Sequence, residues 1–491
     1  MAEDAKDDAG GGRIAVVSLA GLVAGPLLAL AILSSPAPEG MPPEAWRMVA
    51  VVAWMVVWWL TEAVAISATA LLPLVLMPLL GVVGLDDTAA AYADPLIFLF
   101  LGGFLLAAAM QATGLHRRIA LAIVAAVGTT PSRIVLGFML ATAFLSMWIS
   151  NTATSIMMYA VGISVIDFAA GRGEDEAGVR RFGVALMLGI AYAASIGGTA
   201  TLIGTPPNAL LASFLSDNYD VEITFWRWML LGVPVAAVML PLAWVLLTQI
   251  RFATRSLALG DAARAIGEER RALGRMDRAE IWVGIVFLLA ATFWILRRPI
   301  GSAIGTEIDD TVVAIAAALL LFAVPLSRER GPALDWASAE RIPWGVLVLF
   351  GGGLALANGF SETGLAEWIG EAVSAIEVST VVLVIVVTAA IVALTEITSN
   401  TASTATFLPI LGAVGVGLGL DAAVLTVPVA LGASMAFMMP VATPPNAIVF
   451  SYPGLTLPAM AITGLWLNLV GVVAIVAAFL LIGPYVFGFA L

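Results

Sequence analysis

The residues with chemistry to offer stand in two short polar words. Trp148 to Ser155 reads WISNTATS and Glu396 to Thr404 reads EITSNTAST, each inside a long apolar run, with Asn151 and Asn400 249 positions apart. Serine, threonine and asparagine side chains donate and accept hydrogen bonds without carrying charge, so either word can dress a small anion or a cation. A second word follows each: Thr205-Pro206-Pro207-Asn208 and Thr443-Pro444-Pro445-Asn446. Two successive prolines remove donors and clash with the preceding turn, so no helix runs through them. Breaks are expected near Gly204-Thr205 and Ala442-Thr443. A broken helix offers carbonyls that can hold a cation at one end and N–H groups that attract an anion at the other.

Taken singly, each word has a blander reading. A Ser-Asn-Thr triplet in an apolar helix is more often packing glue, and a membrane-helix proline is usually a tolerated kink. The duplicated pairing points instead to a binding site. A third repeated word supports the duplication: FLGGFLLAAAMQATGL (100–115) matches FGGGLALANGFSETGL (350–365). Glu62 and Glu396 are intramembrane carboxylates and functional suspects on that ground; each is either a ligand or a helix cap or hairpin brace. No arginine or lysine is expected near either tip, so a dianion there needs helix N-termini, amide and hydroxyl donors and co-bound cations.

The elements that must hold these words are membrane helices. The chain has 491 residues, is 61% hydrophobic and only 11% charged, with net charge −12. Soluble domains carry roughly 25% charged residues. Spans are expected near 14–34, 46–60, 63–82, 95–112, 179–200, 227–250, 280–297, 310–326, 343–360, 423–441 and 460–488, with residues 1–13 a disordered tail. Arginine concentrates in cytoplasmic loops. With the N-terminus inside, only Arg47, Arg227, Arg297 and Arg298 fall outside, and Arg117, Arg118, Arg133, Arg172, Arg180, Arg181, Arg251 to Arg278, Arg328, Arg330 and Arg341 fall inside. The C-terminus is then outside.

The segments 132–169 and 380–416 hold the Ser-Asn-Thr words. The first has arginines at both ends, and its arms, 134–149 and 153–169, reach only about 24–26 Å against a hydrocarbon core of roughly 30 Å. It reads as a re-entrant hairpin entering from the cytoplasm. The second, flanked by Glu362, Glu367, Glu371, Glu377 and Asp421, reads as one entering from outside. The chain therefore divides into a first repeat (14–250), a basic cytoplasmic linker (251–279) and a second, inverted repeat (280–491). Inverted repeats with midplane polar breaks belong to transporters. With no cysteine, and His116 the sole histidine and far from both tips, a hydrolase using Ser150 or Ser399 lacks a base. An ion channel needs an open polar path, whereas the polar residues cluster at two tips.

At these residues the chain resembles the divalent anion/sodium symporter family, the dicarboxylate, citrate and sulfate carriers, over roughly residues 15–490. The resemblance implies an all-α polytopic protein of the cytoplasmic (inner) membrane. It would have eleven transmembrane helices plus two re-entrant hairpins, a homodimer built on a scaffold domain, and elevator-type movement of a transport domain. It implies a first sodium site at Ser146, Ser150, Asn151 and the Gly204 carbonyl, and a second at Thr395, Thr398, Asn400 and the Ala442 carbonyl, with Thr398 expected to contribute through its backbone. Substrate carboxylates would meet Asn151, Thr152, Ser399, Asn400 and Thr401, with Thr205, Pro206, Thr443 and Pro444 closing the pocket. Co-transported sodium is expected, with no organic cofactor, no nucleic acid and no enzymatic activity. Family members include both sodium symporters and dicarboxylate exchangers. Sodium-coupled uptake of C4-dicarboxylates such as succinate, malate and fumarate is the favoured expectation, ahead of exchange and of sulfate or citrate.

Overall fold

The computed structural model describes residues 4–170, 176–254, 262–327, 331–375 and 378–489. Residues 1–3 of the expected tail, and Arg172, Arg255, Arg328, Arg330 and Glu377 among the residues used for topology, lie outside the described residues.

The chain is a helical polytopic membrane protein; the described residues add one two-stranded pair, Pro325–Ser327 with Gly331–Pro332. Eight helices are long and apolar enough to cross a membrane, and six apolar helices are shorter. Most expected spans match one helix, such as Pro43–Thr61, Arg278–Ile304 and Trp344–Glu362. The segment 63–82 differs, forming two short helices, Ile66–Thr69 and Leu72–Leu79. The opening helix runs from Asp4 to Ser34.

The site rests on nine helices. The first hairpin is α1 (Pro131–Ser146) and α2 (Asn151–Ala170), followed by α3 (Glu176–Gly198) and α4 (Pro206–Tyr219). The second is α5 (Thr380–Leu394) and α6 (Asn400–Gly417), followed by α7 (Ala423–Ala433), α8 (Pro444–Phe450) and α9 (Leu457–Phe487). Three of the hairpin arms, with 16, 15 and 18 residues, extend about 22–27 Å. The fourth, α2, has 20 residues, about 30 Å, and alone could span a bilayer. Each hairpin is preceded by the same device: Gly114 (φ 79°) and Gly364 (φ 75°) adopt the left-handed conformation and turn one helix into the next.

The helices before the prolines end earlier than expected. Instead of unwinding near Gly204 and Ala442, α3 stops at Gly198 and α7 at Ala433. The prolines only fix where the next helix starts, by standing at its first positions, where a missing N–H costs nothing. The two halves also interlock. Helix α4 lies against α6 and α7, and α8 lies against α2 and α3.

Candidate functional site

Both tips and both proline breaks open onto one cavity of about 1340 Å³. All nine residues expected at the substrate line it: Asn151, Thr152, Thr205, Pro206, Ser399, Asn400, Thr401, Thr443 and Pro444. So do Ser150, Gly204, Thr398 and Ala442 from the expected ion sites. Ser146 and Thr395 stand behind the lining, fully buried.

Local sequence explains the tips. The Ser150 hydroxyl accepts from Ala153 N at 3.3 Å, and the Ser399 hydroxyl from Ala402 N at 3.4 Å. Each serine thus satisfies one of the free donors at its helix start, so α2 and α6 begin at the asparagines and aim their N-termini into the cavity. Thr443 caps α8 in the same way, accepting from Asn446 N at 3.3 Å.

Around the first tip, two buried side-chain oxygens are left without partners. Ser146 Oγ and Asn151 Oδ1 are buried with no hydrogen-bond partner. A Cβ on Gly198 would lie 2.7 Å from Asn151 Oδ1 and 3.1 Å from the Gly204 carbonyl. Asn151 Oδ1 and the Gly204 carbonyl therefore crowd one glycine-lined space. Leaving buried acceptors unmet costs about 1–3 kcal/mol each, a cost that a bound cation would remove. At the second tip the equivalent oxygens satisfy one another: Thr395 Oγ1 donates to Asn400 Oδ1 and lies 2.9 Å from the Ala433 carbonyl. Thr398 differs from the other candidates, because its hydroxyl turns onto Leu394 O (2.8 Å) and Ser403 Oγ (2.7 Å). Only its backbone is free to serve an ion.

Several site residues were not assigned a role from sequence. Asn208 Nδ2 donates to the carbonyls of Gly198 (3.3 Å) and Thr201 (2.8 Å), and Asn446 Nδ2 to those of Ala436 (3.1 Å) and Met439 (3.0 Å). The asparagine that ends each TPPN word thus ties down the unwound stretch before it. Glu396 answers the open question about the carboxylates. It is absent from the cavity lining and grips backbone N–H groups of 437–439, as a brace. Glu62 caps Pro43–Thr61 in a left-handed conformation and also lines the cavity.

One cationic side chain reaches the cavity wall. Arg341 lines the cavity, as do Gln111 and Ser338. The short helix Trp336–Ala339, started by Asp335 accepting from Ser338 N, lies against Pro95–Thr113 and carries Arg341 to the cavity wall. No periodic signal marks so short a turn.

Paired hairpin tips facing paired helix breaks across a cavity, in a helical membrane protein, define a membrane transporter rather than an enzyme. The family description "Sodium:sulfate symporter transmembrane region" matches residues 17–488. The sodium-dependent dicarboxylate transporter SdcS of Staphylococcus saprophyticus is 42% identical over 482 residues, 96% of this chain and 93% of that protein. SdcS of Staphylococcus aureus is 40% identical over 478 residues, 96% and 92% of the two chains. Among solved structures, the YdaH transporter of Alcanivorax borkumensis aligns with TM-score 0.55 at 13% identity, covering 82% of this chain and 89% of that one, a likeness of fold alone. The chain belongs to the divalent anion/sodium symporter family.

Proposed function

We propose that this protein is a secondary carrier that moves C4-dicarboxylates across the cytoplasmic membrane together with sodium. The observation that carries the reading lies at the first tip, where Ser146 Oγ and Asn151 Oδ1 are buried without a partner and both Asn151 Oδ1 and the Gly204 carbonyl border the space beside Gly198. Such a set of neutral oxygens suits a small hard cation. The relatives named as sodium-dependent dicarboxylate transporters support the same assignment.

In this reading, one sodium ion is held by Ser146, Ser150, Asn151 and the Gly204 carbonyl. A second is held by Thr395, Asn400, the Ala442 carbonyl and the Thr398 backbone. The two carboxylates of the substrate meet the N-termini of α2 and α6 through Asn151, Thr152, Ser399, Asn400 and Thr401. Thr205, Pro206, Thr443 and Pro444 form the opposing wall. Each asparagine serves an ion and a carboxylate together. Without sodium, the dianion meets only neutral donors at the tips, which explains the coupling, since an unpaired charge is expensive at this depth.

At about 1340 Å³ the cavity exceeds the roughly 300–1,000 Å³ of ordinary ligand pockets, as an open vestibule would. Its remaining walls include Thr61, Glu62, Gln111 and Arg341, at helix ends that the arginine distribution puts in the cytoplasm. The state is therefore read as inward-facing. The hairpins with α3, α4, α7 and α8 would form the moving body of an elevator, in a homodimer held by the remaining helices.

Labelled succinate uptake into proteoliposomes tests the reading. Sodium-driven accumulation into empty vesicles is expected. Uptake only into succinate-loaded vesicles, indifferent to sodium, would replace symport by exchange. Absence of both would move the substrate to sulfate or citrate.

A further inference from the structure

The two proposed ion sites are related by the repeat, yet they are not electrically equivalent. The second has a buried carboxylate on the residue next to Thr395, one of its proposed ligands. Glu396 follows Thr395 directly and is 5% exposed. Its Oε1 accepts from Phe437 N (2.7 Å), Met438 N (3.0 Å) and Asn468 Nδ2 (2.7 Å), and its Oε2 from Met438 N and Met439 N (3.0 Å each). All its partners are neutral, and no ion pair to it is found among the described residues. The corresponding position of the first repeat is Met147, 249 positions earlier. There the polar contact is a bond from Thr201 Oγ1 to the Met147 carbonyl.

Glu396 joins three elements. It stands at the second tip, holds the N–H side of the stretch that leads to Ala442, and is held in turn by α9 through Asn468. Asn446 holds the carbonyl side of the same stretch at Ala436 and Met439. One helical turn before Asn468, Gly464 lies so close to Phe437 that no Cβ fits between them, which fixes α9 against the stretch.

We propose that Glu396 is the positioning residue of the second sodium site and, through its negative charge, makes that site the tighter of the two, so that it fills first. A site of neutral oxygens gains little from its surroundings, whereas a carboxylate in a low-dielectric interior raises cation affinity well beyond its worth in water. This inference rests on the sodium-site assignment under Proposed function.

The test is sodium titration of the purified, detergent-solubilised protein at constant ionic strength with choline as the replacing cation, read as thermal stabilisation without succinate. In the parent protein two sodium-dependent phases, or one with an apparent order above one, are expected. Glu396→Gln should weaken the tighter phase on the order of tenfold or more, leaving the weaker one in place. Asn468→Leu removes a neutral donor but keeps the charge, and should bind sodium at least as tightly as the parent protein. A folded Glu396→Gln variant with unchanged sodium affinity would overturn the proposal. So would equal weakening in both variants, because that is the mark of a brace whose charge is not felt. Should Glu396→Gln fail to fold, Asn468→Leu decides alone: sodium binding no weaker than in the parent supports the proposal, and weaker binding overturns it. If the parent protein shows no sodium-dependent stabilisation at all, the ion-site assignment itself falls, and with it this inference.

Discussion

Gly198→Ala probes the proposed first ion site without replacing any proposed ligand. The added methyl would sit 2.7 Å from Asn151 Oδ1, 3.0 Å from Asn151 Nδ2 and 3.1 Å from the Gly204 carbonyl, the first closer than Cβ atoms come to any neighbour. Three atoms around the proposed ion site must yield, and none is the tip of a long flexible side chain. Overpacking of this kind costs about 1–3 kcal/mol. Where it falls on the bound state, that is roughly 5- to 150-fold in affinity. The second repeat supplies a control, since Ala436 stands where the first has Gly198, each 7 residues before its Thr-Pro-Pro word. Its carbonyl accepts from Asn446 as the Gly198 carbonyl does from Asn208. Sodium-dependent succinate uptake should fall by at least about fivefold in Gly198→Ala and change little in Ala436→Gly. Uptake and sodium affinity within about twofold of the parent protein, in a Gly198→Ala variant that elutes and melts normally, would refute the joint role of Asn151 and Gly204.

Three further outcomes are expected. Asn151→Ala and Asn400→Ala should each abolish uptake while the protein still elutes as its native oligomer; near-normal transport by either would remove the shared ion and carboxylate role. Asn446→Ala loses bonds to two buried carbonyls, worth about 1–3 kcal/mol together, so its melting temperature in detergent should drop; an unchanged melting curve would mean that the unwound stretch is held elsewhere. Cysteines introduced into this cysteine-free chain at Arg275 and Glu367, both exposed, should react with impermeant maleimide from opposite sides of the membrane; labelling from one side would end the inverted arrangement of the repeats.

Much of the site was legible because its signals are local and written twice. A Ser-Asn-Thr word inside an apolar run needs no tertiary context to stand out, and neither does a double proline. Where the helices stop was not legible. The end of α7 at Ala433 depends on Glu396, 41 positions before Phe437, taking N–H groups that would otherwise extend the helix. Asn208 and Asn446 were visible as letters but not as ties, since their partners are backbone carbonyls with no side-chain signature. Arg341 was counted only as a topological marker. Its place on the cavity wall depends on a four-residue helix too short to leave a period in the sequence.

The exchange of short helices between the halves has a consequence for how the protein is made. Helix α4 leaves the ribosome early, yet the faces it rests on, α6 and α7, are translated some two hundred residues later. At about 5–20 residues per second, the first half waits on the order of ten seconds or more with its binding groove half-built. During that time the unmet oxygens near Ser146 and Asn151 have only their own repeat for company. Neither half can complete these contacts by itself, so the fold is expected to close only once both are present. A chain cut within the linker should yield two fragments that regain transport only when they are co-inserted.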